Sequence, residues 1–148
     1  TALRLIVEGE GAYTAVDGER VTMHAGDFII TPSWTWHDHG NPAGDPVVWL
    51  DGLDIPLVRF FDCGFAENYP EDTQPVLRPE GDALARYGSN LLPVDFRPAH
   101  GASPVFAYPF ARSAEALRRL ESAGPPDVCH GYKMQFVNPT TGGSAMPT

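Results

Sequence analysis

Two histidines, His37 and His39, lie two residues apart in Gly26-Asp-Phe-Ile-Ile-Thr-Pro-Ser-Trp-Thr-Trp-His-Asp-His-Gly-Asn41. The segment reads as extended chain, where alternate side chains share a face, so His37 and His39 point one way and Asp38 the other. Imidazole is the commonest protein ligand for first-row transition metals, which makes the pair a candidate metal site with either ring as ligand. The plainer alternative is two polar side chains near a sheet edge. Arg4 is a second candidate. In Leu3-Arg-Leu-Ile-Val-Glu8 it shares a face with Ile6 and Glu8, while Leu3, Leu5 and Val7 take the other. A buried arginine among aliphatic neighbours needs an anionic partner; an outward one would pair with Glu8 or an adjoining strand. Asp51 is the third. It ends Val47-Val-Trp-Leu-Asp51 on the same face as Trp49, where a carboxylate after an apolar run is unexpected. Its alternative role is to open a turn at Gly52. His24, His100 and His130 sit in turn-like or Pro- and Gly-rich context without a partner at ligand spacing, and are expected to be solvated.

The elements that must position these residues are short. Leu3–Glu8, Ala12–Val16, Glu19–Met23, Phe28–Thr31, Trp36–Gly40 and Val47–Asp51 read as strands separated by Gly, Pro and Asp. Asp17-Gly18 is a strong hairpin signal, because a two-residue type I′ turn needs positive φ at both central residues. Short strands at even spacing predict an antiparallel barrel or jelly roll, an all-β class. Beyond them, Ile55 to Phe65 is either a short helix or a loop. Prolines recur from Asn68 to Pro109, which excludes a long regular element there. The aromatics Tyr69, Tyr87, Phe96, Phe106, Tyr108 and Phe110 predict that this segment wraps a neighbouring surface rather than floating as a linker. One short helix is expected near 114–122, capped by Ser113 and stopped at Gly124-Pro125. Tyr132 to Val137 is strand-like. Trp34, Trp36 and Trp49 are expected in core or cavity wall, and Asp38 and Asp54 at turns or surface.

The 148 residues carry a formal charge of −9 without any cluster of Lys and Arg. Nucleic acid and anionic membranes both need a basic surface, so neither is an expected partner. A small anionic ligand would need its own local positive charge. Cys63 and Cys129 lie far apart with no Cys-x-x-Cys spacing, which predicts neither a disulfide scaffold nor a zinc-cysteine site and makes a cytoplasmic location the default. No apolar run approaches the roughly 20 residues of a membrane-spanning helix.

The register of Gly26, Pro32, His37 and Asn41 resembles the second motif of the cupin superfamily, with Trp34 where many members carry glycine. Further words along the chain, Trp49-Leu-Asp-Gly-Leu-Asp54, Arg86-Tyr-Gly-Ser-Asn-Leu-Leu-Pro93, Ser103-Pro-Val-Phe-Ala-Tyr-Pro-Phe110 and Asn138-Pro-Thr-Thr-Gly-Gly143, resemble the gentisate 1,2-dioxygenase family of bicupins. The resemblance implies a cupin jelly-roll (double-stranded β-helix) barrel, incomplete in this chain. Residues 1–54 would form most of an N-terminal cupin, 55–126 an inter-domain segment, and 127–148 the start of a C-terminal cupin. It implies Fe(II) held by three histidines, of which His37 is one and a His-x-His pair before Thr1 supplies the others. It implies Arg4 as a clamp on a substrate carboxylate, His39 as a contact to substrate or oxygen that moves protons, and Asp51 near the distal hydroxyl of the ring. The implied reaction uses O2 to open gentisate to maleylpyruvate in a homo-oligomer, a tetramer by family habit. Salicylate or 1-hydroxy-2-naphthoate are alternative substrates, and a metal-free cupin binding module is the alternative from another class. The abrupt termini lead us to expect an internal piece of a longer protein, inactive alone.

Overall fold

The computed structural model describes residues 1–98 and 101–146. His100 therefore lies outside the described residues. The strands are β1 (Ala2–Glu8), β2 (Glu10–Val16), β3 (Glu19–His24), β4 (Phe28–Thr31), β5 (His37–Gly40), β6 (Val48–Leu53) and β7 (Ala107–Tyr108). They form two antiparallel sheets, one ordered β6-β1-β4-β7 and the other β3-β2-β5. The two sheets do not close into a barrel among the described residues.

Asp17 and Gly18 both take positive φ, 44° and 82°, and join β2 to β3 as the type I′ signal requires. The alternation of β1 decides its faces. Arg4 and Ile6 are buried, whereas Leu5 and Val7 are exposed. Ile6, Ala12, Val16, Met23, Ile29, Phe106 and Ala107 pack between the sheets with Ala83. Burying such side chains stabilises by about 1.5–3 kcal/mol each for the larger ones. The opposite face of β1 and β6 stays open, with Leu5, Val7, Val48 and Leu50 each at least two-fifths exposed.

Three helices occur among the described residues: α1 (Ile55–Phe60), α2 (Asp82–Tyr87) and α3 (Phe110–Ala123). The segment from Ile55 thus takes its helical alternative, α2 is an unexpected addition, and the helix expected near 114–122 begins a turn earlier. Ser113 is not its cap; its hydroxyl donates back to the Phe110 carbonyl within the first turn. The capping group is the Asp27 carboxylate, which accepts from Phe110 N–H at 2.8 Å. Tyr132 to Val137 forms no strand. It lacks a long partner, and only an isolated bridge joins Val137 to Ser144. Phe136 instead stacks on Phe28, ring centroids 4.5 Å apart, while Asn138 is buried and folds its loop through bonds to Gly101 O and Thr140.

The proline-rich segment wraps the three-stranded sheet. Gln74 is buried there, and its amide accepts from Gly18 N–H at 2.6 Å and donates to the carbonyls of Ala15 and Trp36. Its backbone N–H reaches the Asp38 carboxylate. Glu19, 1% exposed, accepts from Ala83 N–H at the start of α2. Burial pushes the Glu19 carboxyl above its ordinary value, against the pull of that N–H and the Arg78 charge.

Candidate active site

The candidate residues come from facing sheets as two cross-strand pairs. In the four-stranded sheet Arg4 on β1 stands directly opposite Asp51 on β6. In the three-stranded sheet Thr14 on β2 stands opposite His39 on β5, and Val16 opposite His37. Directly opposed residues on one face are the unit of side-chain contact in a sheet, so register alone assembles both pairs. Asp51 does not open a turn, because β6 runs on through Gly52 to Leu53.

Arg4, 6% exposed, bridges the two pairs. Its Nε donates to Asp51 Oδ1 at 2.8 Å and its Nη2 to Asp51 Oδ2 at 3.1 Å, a bidentate fork. Its Nη1 crosses to the other sheet, 3.1 Å from Thr14 Oγ1 and 2.9 Å from His39 Nδ1. The Trp49 ring lies under the guanidinium at 4.9 Å, and its indole N–H donates to Asp51 Oδ2 at 3.3 Å. The anionic partner of Arg4 is thus Asp51 rather than Glu8, and the fork expected to clamp a substrate is occupied by that carboxylate. The amino group at Nη1 is the part of Arg4 that faces the histidines.

His37 and His39 share a face, their ring centroids 5.6 Å apart, while Asp38 turns to the other side and meets Gln74. Part of His39 remains exposed at the rim, yet burial, then the Arg4 charge, then the neighbouring His37 push its imidazole down to about 4. It is neutral at neutral pH. Burial alone would raise the Asp51 carboxyl, but the Arg4 bonds and charge, with the Trp49 indole, hold it below the usual carboxylate range. The face therefore presents a fixed cation, a paired carboxylate and two imidazoles.

Whether this face suits a metal turns on its donors. His37 is exposed and its ring lies on the same face as His39, so it fits as one nitrogen donor of a set. Among the described residues no group of three or more His, Cys, Asp and Glu could hold a metal ion. His24 is exposed beside Asp27, and His130 is exposed beside Asp127. Thr14 and Gln74 belong to the arrangement and carried no sequence signal; a threonine in a strand is ordinary, and Gln74 reaches its partners across 38 to 59 residues.

No helix among the described residues is long and apolar enough to cross a membrane. Residues 1–54 match the family model described as "Cupin domain". The whole chain is 57% identical to gentisate 1,2-dioxygenase 1 of Aquipseudomonas alcaligenes, covering 43% of that protein, and 42% identical over 99% of its length to a Streptomyces gentisate 1,2-dioxygenase. Among solved structures, salicylate 1,2-dioxygenase from Pseudaminobacter salicylatoxidans superposes with a TM-score of 0.85 at 36% identity, over 99% of this chain and 44% of that one. The same enzyme in its gentisate adduct gives 0.84 at 35% identity, over 99% of this chain and 42% of that one. The chain spans about 43% of the length of the curated relatives it matches first. Residues 1–54 are therefore a cupin domain, and the chain is homologous along its whole length to part of the gentisate 1,2-dioxygenases.

Proposed function

We propose that this chain is the part of an Fe(II)-dependent ring-cleaving dioxygenase that binds gentisate and opens it with O2 to maleylpyruvate. The observation that carries the reading is the inner face itself: a buried arginine with one amino group turned toward two imidazoles, in a chain 57% identical to a gentisate 1,2-dioxygenase. His37 would hold the metal with donors outside the described set. Bound there, Fe(II) would act as Lewis acid and as electron conduit between the ring and O2. The protein's own part is to bind and orient. Arg4 Nη1 supplies the local positive charge that an acidic chain must build for an anionic carboxylate. His39, neutral, offers hydrogen bonding at the same place without a competing charge. Asp51 fixes the Arg4 fork and retains lone pairs for a ring hydroxyl, being about a third exposed. In the same reading residues 55–126 join two cupin domains, 127–148 lead into the second, and the active species is a homo-oligomer in the cytoplasm.

The test is the complete protein bearing this chain, loaded with Fe(II) under reducing conditions. Gentisate should give a product absorbing in the near ultraviolet, with stoichiometric iron bound. Stoichiometric iron without product would overturn the reading. Salicylate and 1-hydroxy-2-naphthoate are the second reading, since relatives named for those two acids match at 36% and 37% identity. Side-by-side turnover of the three acids decides between them. A metal-free cupin binding module remains the reading from another class. Absence of bound iron in the complete protein would establish it.

A further inference from the structure

Thr14 is completely buried, yet its hydroxyl touches three polar neighbours. Its Oγ1 lies 3.1 Å from Arg4 Nη1, 3.0 Å from His39 Nδ1 and 3.5 Å from Met23 Sδ. A guanidinium has donors and no acceptor, so Arg4 Nη1–H donates to Oγ1 and fills one lone pair. The hydroxyl then has one proton left to place. A thioether at 3.5 Å is a weak acceptor, whereas an imidazole nitrogen at 3.0 Å is a good one. Arg4 Nη1 does not compete well for the ring: it lies 2.9 Å from Nδ1 and 3.1 Å from Nε2, and those lone pairs diverge, so one N–H cannot align with both.

We propose that Thr14 is a positioning residue, whose hydroxyl accepts from Arg4 and donates to His39 Nδ1, fixing His39 as the Nε2–H tautomer. The pair opposite each other across β2 and β5 thereby presents a hydrogen-bond donor, rather than a lone pair, toward an anionic ligand beside Arg4. One buried hydroxyl also couples the two sheets, because it anchors the arm of Arg4 that crosses between them. Its consequence for turnover rests on the ring-cleaving reading above; the tautomer does not.

Two variants of the complete protein separate hydrogen bond from shape. Thr14→Val keeps the volume and removes the hydroxyl, and Thr14→Ser keeps the hydroxyl. With diamagnetic Zn(II) in place of iron, 15N NMR of labelled histidine should show His39 protonated at Nε2 in the parent and in Thr14→Ser. Thr14→Val should lose that signature. In the iron-loaded protein Thr14→Val should raise KM for gentisate by about tenfold with a smaller change in kcat, and Thr14→Ser should restore it. A parent protonated at Nδ1, or a Thr14→Val protein still held as Nε2–H, overturns the proposal. Loss of turnover in the parent with the NMR result intact overturns the dioxygenase reading alone.

Discussion

The two sides of β5 do different work. On the inner side His37 and His39 face Arg4, Asp51 and Thr14, and the polar groups satisfy one another through side chains. On the outer side Asp38 faces Gln74, and the bonds there run mainly to backbone: Gly18, Ala15 and Trp36. A strand with a period of two can serve both at once, because neighbouring residues never share a face. The difference teaches where substitution should be read. Breaking the inner network leaves charges without partners, so it should be felt in ligand binding. Breaking the outer one leaves backbone groups without partners, so it should be felt in stability.

The largest expected effect breaks the inner side. Arg4→Met removes the bridging cation and strands the Asp51 carboxylate; loss of a buried charge partner of this kind should lower kcat/KM for gentisate by about a thousandfold. Arg4→Lys should not rescue it, since an ammonium cannot reproduce the fork. Steady-state kinetics on the complete iron-loaded protein check both. A variant with parental kinetics would erase the distinction between the two sides.

Next comes the outer side. Gln74→Met keeps the length but abandons three hydrogen bonds, leaving the buried Gly18 N–H without that acceptor and the Ala15 and Trp36 carbonyls one donor short; unfolding by urea should show a loss of about 2–3 kcal/mol. Its kcat at saturating gentisate should stay within about twofold of the parent. Thr14→Val should instead act mainly on KM for gentisate, which sharpens the comparison within one sheet.

Acid should separate the regions by sign. His39 holds its proton less tightly when folded, so between its free value of 6.5 and about 4 the unfolded chain binds more protons and stability falls as pH drops. Asp51, held low by Arg4, adds a further loss as pH falls below 3.8. Glu19 acts oppositely. Its carboxyl is raised when folded, so just above 4.5 the folded state binds more protons and stability increases on acidification. Removing each group in turn, as His39→Asn and Glu19→Gln, should flatten a downward and an upward contribution to the unfolding midpoint between pH 4 and 7. The smallest effect belongs to neither side: Arg119→Ala breaks an exposed ion pair with Glu115 at 3.6 Å and should leave the midpoint unchanged.

What the chain's own pattern revealed was local. Alternation in Leu3–Glu8 put Arg4 and Ile6 on one face and Leu5 and Val7 on the other but left open which face was inside, and the Asp17-Gly18 signal placed the hairpin. It put His37 with His39 and Trp49 with Asp51. It could not say that the partner of Arg4 is Asp51, because that depends on which strands lie side by side. The same limit hid Gln74 and Thr14, whose importance lies in contacts between segments far apart in the chain. Ser113 misled for the complementary reason: a good cap by type lost to Asp27, which arrives from the β3–β4 turn. Tyr132–Val137 has strand-forming composition, but composition supplies no neighbouring ladder.

That Asp27 carboxylate accepts from His24 N–H through Oδ2 and from Phe110 N–H through Oδ1. The β3–β4 turn and the first turn of α3 therefore share one anion across 83 residues. Helix nucleation is unfavourable until its first turn is secured, and here the securing group comes only with a distant contact. α3 consequently belongs to the slow part of the folding reaction, waiting on loop closure rather than forming early as a local element. A helix of 14 residues with no buried side chain then melts with the β3–β4 turn that holds its start, one cooperative unit drawn from segments far apart in the chain.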